Sequence, residues 1–351
     1  MILRTLGFSA PSAGAKLAPF HFERRDLRPD DVAIDILYCG ICHSDLHQVN
    51  NDWGEGIYPM VPGHEIVGRV CGIGRAVKRY HVGEAVAVGC MVDSCQHCDQ
   101  CSKGEEQLCR EGMTGTYTSK DRITGETTQG GYSTYLVVRE EFVLRIPEGL
   151  DLSRAAPLVC AGITTYSPLR TWNVGPGSRV GVVGLGGLGH MAVKLASGLG
   201  ADVTVLSRSN AKEADALGLG ADRLLVSTDD EAMTRAASSL DLIIDTVPTA
   251  HDLNPYLPLL DIDGTLVLVG QIGPLSEPTT TVPLIMGRRR IAGSLIGGIA
   301  QTQELLDFCG RKNILPDCEM IRMDEINTAF ERMDRADVRY RFVIDMASLK
   351  S

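Results

Sequence analysis

Four cysteines stand close together, as Cys95-Gln-His-Cys98-Asp-Gln-Cys101 followed by Cys109. Two-residue spacers let a tight loop aim several thiolates at one point, which is the geometry of a closed tetrahedral zinc site. The surrounding residues are polar, with Asp93, Asp99, Glu105 and Glu106 against Lys103. Such a loop has no apolar content to fold it, so bound metal is expected to order the lobe at about 93–110. Four protein ligands leave no open coordination position, and the expected role is structural.

A second set of metal-ligating residue types is dispersed. It comprises Cys42 within Cys39-Gly-Ile-Cys42-His43-Ser44-Asp45-Leu46-His47, then His64 and Glu65 after Gly63, and finally Cys160. Two cysteines and a histidine on one zinc would leave a position open for water or a carbonyl oxygen, as catalysis requires. The residues are too far apart in sequence for spacing alone to join them.

A third motif handles phosphate. Val180-Gly-Val-Val-Gly184-Leu-Gly186-Gly187-Leu188-Gly189 contains GxGxxG between an apolar strand-like run and a helical stretch. Gly184 is expected to make the turn, Gly186 to admit the pyrophosphate, and Gly189 to let helix and strand close up. The helix N-terminus adds partial positive charge. About 20 residues on, where an NAD site carries Asp or Glu, stand Ser207, Arg208, Ser209 and, a little later, Lys212. An acid would repel a 2′-phosphate, whereas Arg208 offers a planar donor fork and Lys212 a point charge. The expected cofactor is NADP(H).

These groups need elements to hold them. Residues 1–150 read as mostly β. Val32, Ile34 and Ile36 alternate, Glu65–Val70 and Glu84–Val88 are short runs bounded by glycines, and Tyr132–Ile146 reads as one further strand. From Arg179 the pattern becomes strand and helix in turn, with strands at Arg179–Val183, Asp202–Leu206, Arg223–Val226, Leu240–Asp245 and Thr265–Val269. Helices are expected at His190–Leu199 and Lys212–Leu217. That alternation predicts an α/β, doubly wound parallel sheet. After Leu295 come helices at Thr302–Arg311 and Asp324–Arg332, a short strand at Ile321–Met323 and a closing strand at Tyr340–Ile344. The nucleotide unit, 151–295, is thus expected as an insertion between 1–150 and 296–351.

The chain has 351 residues, a formal charge of −10 and eleven cysteines. Two domains are the natural size prior. The acidic balance argues against nonspecific nucleic-acid or anionic-membrane binding, and no apolar run is long enough to span a bilayer. Met1–Phe20 lacks the pattern of a secretory signal. The odd number of cysteines then favours metal binding and burial over a disulfide framework, and a cytoplasmic location. Cys39, Cys71, Cys90, Cys309 and Cys318 are expected to be packing residues.

Four stretches carry a family resemblance over almost the whole chain: Tyr58-Pro-Met-Val-Pro-Gly-His-Glu65, Asp93-Ser-Cys-Gln-His-Cys98, Gly184-Leu-Gly-Gly-Leu-Gly-His190 and Val338-Arg-Tyr-Arg-Phe-Val-Ile344. They resemble the zinc-containing medium-chain alcohol dehydrogenases, in particular the cinnamyl alcohol dehydrogenases and NADP-dependent microbial aldehyde reductases. The resemblance implies a Rossmann domain inserted into a mainly β, GroES-like catalytic domain, with two zinc ions per chain. Cys₂His is the ligand set known for alcohol dehydrogenases, and it would fall here on Cys42, His64 and Cys160. Glu65 would be an alternating ligand or a close carboxylate, and Asp45 would fix the His64 tautomer. Ser44 would touch the substrate oxygen, and His47 would end a proton relay. Thr164, Thr246, Gly270, Ser294, Leu295 and Ile296 match positions lining the cofactor.

The family further implies a homodimer and a small aldehyde or alcohol substrate: aromatic, cinnamyl-type or aliphatic. A polyol or secondary-alcohol dehydrogenase is the neighbouring alternative. A non-catalytic NADPH-binding relative is the reading from another class, and it would be marked by loss of the ligands that are present here.

Overall fold

A computed structural model describes residues 3–54, 56–270 and 273–349. The chain forms two compact units, Met1–Cys160 with Gly297–Ser351, and Ala161–Ile296.

The first unit is built on a seven-stranded sheet. The long strand Asp31–Ile41 is its axis, because it pairs with three others: Arg341–Asp345, Ile66–Ile73 and Tyr135–Arg139, all antiparallel. Cys318–Arg322 extends one end, and Ala85–Val88 with Leu144–Arg145 the other. Val32, Ala33, Ile34 and Ile36 are all fully buried. Both faces of this strand are therefore covered, which is why its apolar run is nearly continuous instead of strictly alternating. A separate hairpin pairs Leu3–Ser9 with Ala18–Arg24.

The stretch expected as one strand over Tyr132–Ile146 is broken. It forms Tyr135–Arg139, a 3₁₀ turn Glu140–Phe142, and Leu144–Arg145. The turn is imposed from elsewhere. Glu140 accepts the backbone N–H groups of Lys78 and Arg79, its own N–H is taken by the Asp30 carbonyl, and Phe142 is fully buried. Five helices among the described residues were not anticipated from the sequence pattern: His43–Asn50, Leu152–Ala155, Ala161–Thr171, Asp230–Arg235 and Thr281–Gly287.

The second unit is a six-stranded sheet in which every pairing is parallel. Its spatial order is Arg223–Val226, Asp202–Ser207, Arg179–Val183, Leu240–Asp245, Leu260–Leu268, Arg290–Gly293. Numbered within the unit this is 3-2-1-4-5-6, the doubly wound dinucleotide-binding order, which places ligands at the carboxyl ends of the strands.

Candidate functional site

The helix His43–Asn50 starts at Cys42 because Asp45, its third residue, accepts the Cys42 backbone N–H at 3.0 Å and so caps the first turn. The same carboxylate turns outward from the helix. Its Oδ1 accepts from His64 Nδ1 at 3.0 Å and from the Gly63 N–H at 3.1 Å. Asp45 thereby fixes the ring orientation of His64 and leaves Nε2 pointing the other way. His64 Nε2 lies 3.2 Å from Cys160 Sγ, and Cys160 Sγ lies 3.9 Å from Cys42 Sγ. Ligand atoms of Cys42, His64, Glu65 and Cys160 all fall within 4.8 Å of one another, and all four residues are buried. Two thiolates on a tetrahedral zinc stand about 3.8 Å apart, given Zn–S near 2.3 Å. The four residues dispersed in sequence therefore form one pocket of the right size and donor chemistry for zinc.

The electrostatics agree with that use. The Cys42 thiol is driven well below the usual range by its hydrogen bond with Cys160, helped by the Arg341 and His64 charges, while burial opposes. Arg341 was not anticipated. Strand Arg341–Asp345 runs antiparallel to the end of Asp31–Ile41, with Phe342 opposite Ile41, and this sets Arg341 beside Cys42. Its guanidinium pairs with the Glu65 carboxylate, and both are buried. Breaking such a buried pair by removing one partner costs on the order of 3–5 kcal/mol. Glu65 folds over Gly40, where a Cβ would lie 1.9 Å from its Oε2, so only glycine fits. That Oε2 has no hydrogen-bond partner among the described residues, and burial lifts the carboxyl to about 7 against the pull of Arg341. A buried acceptor left open beside two cysteines and a histidine suits a metal cation.

Ser44 and His47 stand one helical turn apart. The Ser44 hydroxyl is 3.6 Å from Cys42 Sγ, and His47 Nδ1 is 2.8 Å from Asp52. Asp52 is a partner the sequence did not suggest. Neither were Tyr117, whose ring stacks on His64 at 5.9 Å, and Tyr132, whose hydroxyl donates to Asp45 Oδ2 at 3.0 Å. Of the cysteines expected only to pack, Cys39 and Cys309 are fully buried. Cys90 instead lies within hydrogen-bond reach of Cys160, and its Sγ is 3.8 Å from the Val159 carbonyl.

The lobe gathers Cys95, Cys98, Cys101 and Cys109, again with all sulfurs within 4.8 Å, and Cys95 to Cys101 at 3.8 Å. Its backbone turns N–H groups onto the sulfurs: Cys98 N–H to Cys95, Cys101 N–H and Arg110 N–H to Cys98, and Cys95 N–H to Cys109. The Cys101 and Arg110 donors bring the Cys98 thiol down to about 6. Thiolates so supported are ready to bind zinc. The strand pair Met91–Asp93 and Thr114–Gly115 closes the base, and Arg139 anchors it through Asp93 at 2.8 Å.

In the second unit the glycine motif behaves as expected. Gly184 has φ +86°, a Cβ on Gly186 would meet open space, and one on Gly189 would lie 2.1 Å from the Gly184 carbonyl. Helix Gly189–Gly198 follows, with Leu188 at its N-cap and Gly187 in the loop before it. Thr246 donates to the Val183 carbonyl at 2.7 Å, and Gly270 is crowded against Thr246. Lys212 Nζ reaches the Leu185 carbonyl at 2.9 Å, inside the glycine loop. Ser207 ends its strand, with Arg208 and Ser209 exposed beyond it. Ser294, Leu295 and Ile296 follow strand Arg290–Gly293, and Thr164 is buried in helix Ala161–Thr171. His190 is fully buried, with Nδ1 3.2 Å from the Gly186 carbonyl.

Comparison with known proteins agrees with both units. Residues 28–148 match the alcohol dehydrogenase GroES-like domain, and residues 187–311 match the zinc-binding dehydrogenase domain. The chain is 54% identical over 346 residues to NADP-dependent alcohol dehydrogenase C 1 of Mycolicibacterium smegmatis, covering 98% of each. Among solved structures, a cinnamyl alcohol dehydrogenase from Sorghum bicolor matches with a TM-score of 0.94 and 47% identity over 98% of both chains. A cinnamyl alcohol dehydrogenase from Helicobacter pylori, complexed with NADP(H), matches with a TM-score of 0.91 and 42% identity over 99% of both. With both family signatures in place and about half its residues shared with such relatives end to end, this chain belongs to the zinc-binding alcohol dehydrogenases of GroES-like and Rossmann architecture.

Proposed function

We propose that the protein is a zinc-dependent, NADP(H)-linked alcohol dehydrogenase and aldehyde reductase, acting on aromatic, cinnamyl-type and aliphatic aldehydes. The observation that carries this is the buried Cys42, His64, Glu65 and Cys160 pocket, with Asp45 locked behind His64. Cys42, His64 and Cys160 would hold the catalytic zinc, and Cys95, Cys98, Cys101 and Cys109 the structural one. When bound, zinc supplies Lewis-acid polarisation of a carbonyl or alcohol oxygen, and NADPH supplies the hydride.

The chain's own residues do the rest. Asp45 keeps His64 in the tautomer that presents Nε2 to the metal. Ser44 exchanges a proton with the substrate oxygen, and His47, held by Asp52, passes that proton on. Arg341 keeps the Glu65 charge balanced within the buried pocket. Gly184, Gly186 and Gly189 shape the pyrophosphate loop, while Ser207, Arg208, Ser209 and Lys212 take the 2′-phosphate. Thr164, Thr246, Gly270, Ser294, Leu295 and Ile296 line the remainder of the cofactor.

We also infer a homodimer. The six-stranded sheet ends in strand Arg290–Gly293, and helix Thr281–Gly287 exposes Val282, Ile285 and Met286, the last at 81%. An open edge beside exposed apolar side chains is what a second copy would cover. Both metal sets need reduced thiols, which suits the cytoplasm. No helix is long and apolar enough to cross a membrane.

The test is an NADPH-oxidation screen over cinnamaldehyde, benzaldehyde, aliphatic aldehydes and sugar-alcohol pairs, with NADH in parallel and zinc counted per chain. Two zincs and a clear NADPH preference with aldehydes are expected. Preference for the sugar-alcohol pairs would move the assignment to a polyol dehydrogenase, and no turnover with any of them would overturn it.

A further inference from the structure

The metal pocket is held from behind by a single carboxylate, and that carboxylate is saturated. Asp45 is fully buried and receives four donors: the Cys42 N–H, the Tyr132 hydroxyl, the Gly63 N–H and His64 Nδ1, at 3.0, 3.0, 3.1 and 3.0 Å. A carboxylate offers about four lone-pair positions, so each donor fixes one of them. Two of the four belong to the ligand residues Cys42 and His64, and one to the residue preceding His64. Tyr132 is the remaining donor of the four and comes from outside the ligand segments, as does Tyr117, whose hydroxyl also lies within hydrogen-bond reach of Asp45.

Tyr132 is itself held with unusual firmness. Gly130, Gly131 and Tyr132 run beside Val61–Gly63, joined by bonds from Gly130 N–H to Val61, Gly131 N–H to Gly63 and Tyr132 N–H to Pro62. The loop thus tracks the segment that leads into His64. A Cβ at Gly63 would stand 2.6 Å from the Tyr132 ring, so the ring sits tight against the backbone. From the far side, the buried Arg24 guanidinium donates to the carbonyls of Gln129, Gly130 and Tyr135 and to the Ser133 hydroxyl, at 2.6, 2.8, 2.8 and 2.9 Å. A buried cation is spent on neutral acceptors flanking Tyr132.

We propose that Tyr132 is a positioning residue for the catalytic metal set: its hydroxyl locks the Asp45 carboxylate, and through it both the His64 ring and the Cys42 turn. The proposal rests on Cys42, His64 and Cys160 being metal ligands. Without the hydroxyl, Asp45 Oδ2 loses its tie to the Gly130–Tyr132 loop, and the carboxylate is held less tightly against the two ligand segments.

Tyr132→Phe tests this in the zinc-loaded enzyme, because it keeps the ring and removes one oxygen. Zinc release to dipicolinate is followed together with kcat, the KM for NADPH and Tm. The pocket zinc is expected to leave about 10-fold faster, as is usual when a group supporting a ligand is lost. The lobe zinc should leave at the wild-type rate, kcat should fall about 10-fold, the KM for NADPH should hold, and Tm should fall by only a few degrees, the cost of one lost hydrogen bond to a buried carboxylate. A ring that only fills space predicts none of these changes. Should Tyr132→Phe not fold, Arg24→Lys loosens the loop with Tyr132 intact, and release of the pocket zinc about threefold faster is expected, a smaller share of the same effect. Wild-type release rates in the folded variants would overturn the proposal. One zinc per chain in the wild-type enzyme would instead sink the ligand assignment beneath it.

Discussion

The two metal pockets reach similar sulfur geometry by opposite routes. In the lobe, four cysteines from a short loop meet, and backbone N–H groups of that same loop support the sulfurs. In the buried pocket the ligands come from residues 42 to 160, and side chains support them: Asp45 behind His64, and Arg341 beside Glu65. A locally built site depends on its metal to order the loop, whereas a dispersed one is set by the surrounding fold. Loss of metal should therefore cost the lobe its structure and the pocket its chemistry.

The largest expected effect follows from the pocket. Cys42→Ala removes a ligand while the sheet around it stays in place. Lewis-acid polarisation contributes several kcal/mol, so turnover should drop by about 10³-fold or more. NADPH affinity, read by fluorescence titration, should stay within about twofold because no cofactor contact is removed, and the lobe should keep its zinc. Near-normal turnover would remove the pocket from the mechanism. At the lobe, Cys101→Ser should do the reverse. One zinc is lost, the loop unfolds, and Tm falls by about 10 °C, taking several kcal/mol of metal-linked stability at 2–4 °C each. The residual activity of the folded fraction, measured well below Tm, should remain close to normal.

The same contrast explains what could be read from the chain. The lobe was legible because its spacing is local, and so was the nucleotide unit, whose strands, turns and GxGxxG fall within a short window. The pocket was reached only through family resemblance, since no periodicity links Cys42 to Cys160. Arg341 lies in the Val338–Ile344 stretch that carries the resemblance, yet nothing in that stretch gives it a role, because its partner Glu65 is brought to it by sheet pairing across 276 positions. The expected strand at Tyr132–Ile146 failed for a related reason. The turn at Glu140–Phe142 is imposed by backbone donors some sixty residues away, which a local pattern cannot contain.

Arg208→Ala isolates the nucleotide unit from both metals. A charge-assisted contact to a 2′-phosphate is worth about 1.5–3 kcal/mol, so the KM for NADPH should rise at least about 10-fold while that for NADH changes little. Both zincs should remain. Equal losses for the two cofactors would assign Arg208 to folding or to the pyrophosphate instead.

The smallest effect asks whether the lobe touches the rest of its unit through anything but its base. Helix Ile299–Lys312 has Gly298 at its N-cap, which has no side chain to satisfy the first N–H groups. Glu106, from the lobe, supplies the missing acceptor: its Oε2 takes the Ile299 N–H at 3.0 Å. The approach is close, since a Cβ on Gly298 would stand 1.7 Å from the Gly104 carbonyl, also in the lobe. A carboxylate at a helix N-terminus both accepts and opposes the dipole, and Glu106→Ala should cost about 1 kcal/mol, a few degrees of Tm, with kcat unchanged. The sharper measurement is the pair. If zinc holds the loop that presents Glu106, then in Cys101→Ser the cap is already lost and adding Glu106→Ala should cost almost nothing more. Additive losses in that cycle would mean that Glu106 reaches the helix without the metal, and that the lobe is less dependent on its zinc than its composition implies.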